Sequence, residues 1–371
     1  MMVQFTKQAK SNQEHLQTWQ DRGLTIPDLV RADRYLSFIG YYRLSAYTIP
    51  FQIVNNIYLS PNENVHFPKS QIPFIYLPLT ARIIPHKYKV DTSFDDVLNL
   101  YIFDRELRLL VMDAIERIEV AIRAQICNVL CHQSGNAFWY TDEQHFNYSY
   151  AHMRLLASIE RQLLDEKERL IRDEKAIDKR PLSQADKDAL KDKVRKENFL
   201  RHYLSKYDSP KLPPSWMMIE MLTWGELSHL YVGLKSTQAK KQIAQNLGLH
   251  AEVLESWLKT LNDVRNICAH HSRLWNKEHG RSIKIPTSNA IQWLQQPIIL
   301  SNTAIRYEKR TYMLLVAIQT LLYKISPNST WAKRLKDLIE QYPSLSKANM
   351  GMPELWHQDP FWQHALQQNE E

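Results

Sequence analysis

Glycine is scarce: 8 residues in 371, roughly 2% where a globular chain carries about 7%. The Gly-rich turns that cradle phosphates in P-loop and dinucleotide-binding enzymes have little to be built from, and those classes are set aside. Cysteine is scarcer, with Cys127, Cys131 and Cys268 alone and no C-x-x-C among them. That odd set offers neither a disulfide framework nor a four-cysteine zinc site, and it suits a reducing cytoplasm. The first twenty residues are polar and mixed in charge, without the apolar centre of a secretory signal. The longest apolar stretch, 312–323, is interrupted by Gln319 and Thr320 and is too short to cross a hydrocarbon layer. A cytoplasmic protein with no membrane span is expected. The net charge of +7 permits a polyanionic partner but, over this length, argues only weakly for one.

What the chain does have is helical periodicity. Residues 1–51 read as a module of two helices, the second opening after Thr25 with Pro27 and Asp28 at its start and closing at Gly40. Residues 52–93 carry Pro61, Pro68, Pro73, Pro78 and Pro85 among β-branched and aromatic residues, which predicts a connector of short strands or ordered loop. From Phe94, apolar residues recur every three or four positions (Leu100, Phe103, Leu107, Leu110, Ala114, Ile118, Ile122, Ile126, Val129) until Ser134-Gly135, the mark of one long core helix. Beside that stripe Glu119 and Arg123 stand four apart, in the order that favours an intrahelical ion pair.

Residues 152–206 are dense in both charge signs and broken near Pro181. They read as a solvated helical insert without a sustained apolar face, whose acidic residues would oppose a grip on phosphate by its lysines and arginines. Helices are expected over 216–234, from His250 through Trp275, and two or three more within 301–341, leaving 342–371 as a tail. The predicted fold is mainly α: an N-terminal helical module, a small irregular or β connector, and a helical bundle over 94–341 that carries the charged insert.

Chemistry-bearing residues concentrate in Val264-Arg265-Asn266-Ile267-Cys268-Ala269-His270-His271-Ser272-Arg273. At about 100° per residue, Leu254, Trp257, Leu258, Leu261, Val264, Cys268 and Trp275 share one stripe, while Asn262, Asn266, His270 and Arg273 lie opposite. Such a polar face is also what a solvated surface presents. A shared metal ion is geometrically poor, because adjacent histidines on a helix diverge by about 100° and Cys268 faces the core. No G-x-S-x-G elbow is present, which argues against a hydrolase triad. Acid–base work by His270 beside the fixed cation of Arg265 remains. It suits RNA cleavage by the strand's own 2′-hydroxyl, with the imidazole moving a proton and the guanidinium stabilising a pentacovalent phosphate. Five helical residues separate the two side chains by about 140°, so a helix distortion, a long reach or a second subunit is needed.

In these residues and others the sequence resembles the Abi-like proteins of bacterial abortive infection, of the AbiD and AbiF type, within the HEPN superfamily. The resemblance runs through Arg22-Gly23-Leu24, Ile39-Gly40-Tyr41-Tyr42-Arg43-Leu44-Ser45, Leu100-Tyr101-Ile102-Phe103-Asp104-Arg105-Glu106-Leu107-Arg108, and Ile118-Glu119 with Arg123. It continues in Pro214, Trp216, Glu220 and Gly225, in 265–276, and in Met350-Gly351-Met352-Pro353 with Trp356. It implies a HEPN-like helical bundle, commonly dimeric, with an Arg-x4-His motif at a metal-independent ribonuclease site: Arg265, Asn266 and His270, with no cofactor. His271 also fits the family's spacing, Arg273 stands beside it, and Glu119 and Arg123 are implied to support the site. RNA and a second copy of the chain are the implied partners. Two other readings stand beside this one: an RNA-binding scaffold that holds a structured non-coding RNA without cutting it, and a DNA-binding regulator using the N-terminal helices.

Overall fold

A serine starts the longest helix. Ser93 and Asp96 form a capping box, with the Asp96 amide donating to Ser93 Oγ at 3.2 Å and the Ser93 amide donating to the Asp96 carboxylate at 2.8 Å. These bonds satisfy amides that have no partner inside a helix. The helix they open, α4 (Phe94–Ser134), runs 41 residues to Gly135, whose φ of +63° ends it in the left-handed conformation. At 1.5 Å per residue it is about 60 Å long. It forms the axis of the molecule, and the predicted stripe from Leu100 to Val129 is buried along it.

The computed structural model describes residues 8–55, 82–295 and 307–367. Among them it is mainly α-helical. The N-terminal module holds three helices rather than two: α1 (Asn12–Asp21), α2 (Leu29–Ile39) and α3 (Tyr41–Thr48). Gly40, at φ +88°, separates the last two, so the glycine expected to end a helix also begins another. The connector includes a two-stranded antiparallel sheet, β1 (Gln52–Asn55) and β2 (Arg82–Tyr88), with Gln52 opposite Tyr88 and Asn55 opposite Arg82. Pro61, Pro68, Pro73 and Pro78 lie outside the described residues. The link between α1 and α2 is tied to the start of α4, where the Thr25 amide donates to Thr92 O at 2.9 Å and the Phe94 amide to Thr25 O at 2.8 Å.

The charged region holds α5 (His152–Asp178), α6 (Gln184–Arg195) and α7 (Phe199–Lys206), broken at Pro181 as expected. The expectation of no sustained apolar face is corrected. Leu155, Ile159, Leu163, Leu170 and Ile177 are buried along α5, and the first three join the main core. The single helix expected over 216–234 is corrected too: α8 (Ser215–Met218) passes into a 3-10 turn and breaks before α9 (Trp224–Gly233). Around α4 then pack α10 (Thr237–Asn246), α11 (Ala251–Ala269), α12 (Thr311–Ile325) and α13 (Trp331–Gln341). Every residue of α12 from Thr311 to Leu322 is buried, as befits a central helix that is apolar on all sides. The segment after 341, expected as a tail, closes the core instead. Trp356, Phe361 and Trp362 are buried, the last two on α14 (Pro360–Gln367), and Trp362 Nε1 donates to Tyr312 Oη at 3.0 Å.

Candidate functional site

Along α11 the buried stripe is the one the periodicity predicts: Leu254, Trp257, Leu258, Leu261, Val264 and Cys268. The helix was expected to run through Trp275, and this is corrected: it ends at Ala269, with His270 as its C-cap at φ −88° and ψ 10°. The His270 amide still donates to Asn266 O at 2.9 Å, so the helix is regular up to that residue. His271 then turns left-handed, at φ +56°. Its amide donates to Cys268 O at 3.0 Å and the Ser272 amide to Ile267 O at 2.9 Å, the pair of bonds that closes a helix in a Schellman motif. That position ordinarily takes glycine, and here a histidine bears the steric cost.

The turn is held from beneath by a buried charge network. Asp104 on α4 is fully buried; its Oδ1 accepts the amides of Leu274 and Trp275 at 3.0 and 2.6 Å, and its Oδ2 accepts Tyr47 Oη at 2.7 Å. Arg108, one turn further along α4 and 6% exposed, pairs with the same carboxylate and donates to Tyr47 Oη at 3.2 Å. Burial pushes the Asp104 carboxyl up, against the opposing pull of Arg108, Tyr47 and the two amides. Arg43 on α3 donates to His271 O at 2.6 Å, and Arg273 donates to Ala46 O at 2.5 Å. Arg310 donates to Asn276 Oδ1 at 2.7 Å, and Thr311 Oγ1 to Leu274 O at 2.9 Å. Residues 271–276 are therefore a strap whose backbone is fixed by α3, α4 and the start of α12, while the side chains of His270 and His271 stay exposed.

The residues singled out from the sequence fall into three groups. Asn266 and His270 lie on one exposed face of α11, one turn apart. Arg265 is half-buried on another face. Its helical neighbours three and four positions away are Leu261, Asn262, Cys268 and Ala269, so α11 offers it no carboxylate, and it makes no ion pair among the described residues. Because the helix is undistorted before His270, the offset of about 140° between Arg265 and His270 remains. Arg273 has left the polar stripe for α3. Burial lowers its pKa, and its charge in turn helps burial to lower that of half-buried Lys277. Arg43, Arg273 and Lys277 give the strap a cationic flank.

Glu119 and Arg123 form the expected ion pair on α4, but among the described residues no hydrogen bond or ion pair joins either to the motif. Arg123 donates to Leu222 O at 2.7 Å and to Ile219 O, which holds the break before α9. From there Trp224 Nε1 donates to Leu258 O at 3.0 Å, which ties α9 to α11. Cys268 lies under Asp104 and Arg108, its thiol pushed up to about 12 chiefly by burial. Among the described residues no three His, Cys, Asp or Glu side chains gather as a metal site would require. No helix among them is long and apolar enough to cross a membrane.

Asp104 and Arg108 were read from the sequence only as part of the resemblance, with no role at the site, and Tyr47 was given none either. Two opposite charges four apart, inside an unbroken apolar stripe, were the available signal.

Comparison with known proteins adds one finding. The model of the Abi-like protein family matches residues 34–276, a span that takes in α3, the Asp104–Arg108 pair and the whole strap to Asn276. No curated protein and no solved structure matches the chain.

Proposed function

The chain belongs to the Abi-like protein family, whose name points to abortive infection, and from that premise we propose that it is a HEPN-type, metal-independent endoribonuclease that acts in phage defence inside the cell. One observation carries the reading: His270 is exposed at the C-cap of α11, directly before a strap whose backbone is fixed from three sides. A proton-transfer group needs that combination of an open side chain and a rigid mount.

In the proposed reaction the RNA 2′-oxygen attacks the adjacent phosphorus, the bond from phosphorus to the 5′-oxygen breaks, and a 2′,3′-cyclic phosphate remains upstream. The 2′-hydroxyl loses a proton and the departing 5′-oxygen gains one. His270 handles one of these transfers, a contribution of about 10²–10⁴-fold. Arg265 stabilises the extra charge on phosphorus, and Asn266 orients the ring or a phosphate oxygen. Since Arg265 and His270 of one chain face about 140° apart, the site is completed across a two-fold axis, with one subunit's arginine approaching the other's histidine.

The test uses full-length protein and end-labelled RNA in EDTA. His270→Ala and Arg265→Ala should each abolish cutting, Asn266→Ala should weaken it, and a single 2′-deoxy substitution should protect that bond alone. Mixing Arg265→Ala with His270→Ala chains should rebuild one site per mixed dimer and restore activity. Cutting at the deoxy position, or loss of activity in EDTA, would overturn the mechanism. The same 140° separation also favours a second reading, a non-cleaving scaffold for a structured RNA, which predicts binding without products and no rescue on mixing.

A further inference from the structure

Two aromatic rings stand in solvent at the corner between α2 and α3: Phe38 is 85% exposed and Tyr42 is 92% exposed. Neighbouring Tyr41 is stacked on His15 with ring centroids 3.7 Å apart, and Leu44 and Tyr47 are buried. The corner therefore packs normally on its inner side, and no described residue covers these two rings. Arginines stand beside both rings. Arg34, one helical turn before Phe38, is exposed and has no ion-pair partner among the described residues. Arg43 follows Tyr42 and donates to His271 O at 2.6 Å. Tyr42 also sits one turn before Ala46, whose carbonyl holds Arg273 at 2.5 Å. Tyr42 is thus the chain neighbour of the residue that holds the strap at His271.

Exposed rings beside exposed arginines are what single-stranded nucleic acid requires, because bases stack on the rings and phosphates follow the charge. A duplex offers its bases no such access. We infer that Phe38 and Tyr42 form a stacking platform that seats unpaired bases of a single-stranded RNA beside His270, with Arg34 and Arg43 facing its backbone. The inference deepens the ribonuclease reading and rests on it for what happens at the strap, but the platform itself needs only that single-stranded RNA binds.

The experiment measures fluorescence anisotropy of a labelled 12-nucleotide RNA, 2′-O-methylated throughout so that it cannot be cut, against full-length protein. The same strand in a blunt duplex is the control. Wild type should prefer the single strand. Tyr42→Ala and Phe38→Ala should each weaken binding about 5- to 100-fold, the span expected of one base–aromatic stack, while Tyr42→Phe, which keeps the ring, should stay near wild type. Thermal unfolding should not move, since neither ring is packed. Unchanged binding by both alanine variants would overturn the platform while leaving the ribonuclease reading intact if wild type cuts unmodified RNA. Ring-dependent binding without any cutting would support the platform and refute the nuclease. Loss of the dimer in Tyr42→Ala, seen by light scattering with RNA affinity unchanged, would show that these rings meet a second copy of the chain and would overturn the inference.

Discussion

Replacing Asp104 should unlock the strap and cost more than any exposed motif residue. In Asp104→Ala, Arg108 keeps its charge at 6% exposure with no carboxylate to face, and a buried pair broken in this way costs about 3–5 kcal/mol. The amides of Leu274 and Trp275 also lose their acceptor, worth about 1–3 kcal/mol for a buried group left unsatisfied. These overlap rather than add, because Arg108 also lies 3.5 Å from Ser272 O and can relax toward it. A net loss of about 4 kcal/mol follows, read as a lower urea midpoint at unchanged slope by tryptophan fluorescence. The double variant Asp104→Leu with Arg108→Met removes both charges and should recover more than half of that loss, leaving mainly the orphaned amides. Hydrogen exchange at Leu274 and Trp275 should speed up in both variants, which separates the strap from the ion pair. A loss under about 1 kcal/mol in Asp104→Ala, or two single effects that simply add in the double, would refute the network.

Three further outcomes follow from the same geometry. His271→Gly removes the steric cost of φ +56° and should stabilise the protein by up to about 1 kcal/mol; a drop in melting temperature would contradict the helix-closing turn. His279 is buried with both ring nitrogens unpartnered, and its pKa is lowered to about 4 by burial, then by Lys277 and Arg310. The unfolded chain takes up a proton near pH 6.5 while the folded one stays neutral, so stability should fall by about 3 kcal/mol between pH 6.5 and 4, at 1.36 kcal/mol per unit. His279→Leu should flatten that part of the stability profile, and an unchanged slope would refute it. Excising 168–195 behind a short Gly-Ser linker should leave a soluble chain that unfolds cooperatively, because Leu155, Ile159 and Leu163 stay in the core. Aggregation of that variant would place the distal part of the insert in the core as well.

The helices that could be read in advance are those whose starts and stops are written locally. α4 carries its own period, its Ser93 cap and Gly135, and the break at Pro181 carries its proline. The misread stops have tertiary causes. Between Trp216 and Trp224 the local signal is the Thr223-x-x-Glu226 capping box that opens α9, and the break before it is held by the guanidinium of Arg123, which arrives from α4 and takes the carbonyls of Ile219 and Leu222. His271 is not a residue that ends helices. It does so because Arg43 takes its carbonyl and Asp104 collects the amides that follow. The connection after 341 looked like a tail because helical periodicity is weak there, although Trp356, Phe361 and Trp362 were themselves evidence of burial.

The same division runs through the site. The exposure of Asn266 and His270 was legible because polar residues occupy one face of an otherwise amphipathic helix. Their supports were not legible, because Asp104 and Arg108 look like an ordinary charged step until they are seen to lie on the buried side of α4. Glu119 and Arg123 repeat the arrangement four turns along, with the same four-residue spacing. In both pairs the arginine reaches past its carboxylate to backbone carbonyls on another element: Ser272 in one case, Ile219 and Leu222 in the other. α4 therefore uses one buried and one partly buried ion pair to fix the backbones of loops that border α11. Charges set back from solvent are screened less than exposed ones, so they can hold these backbones while the side chains of His270 and Asn266 stay exposed.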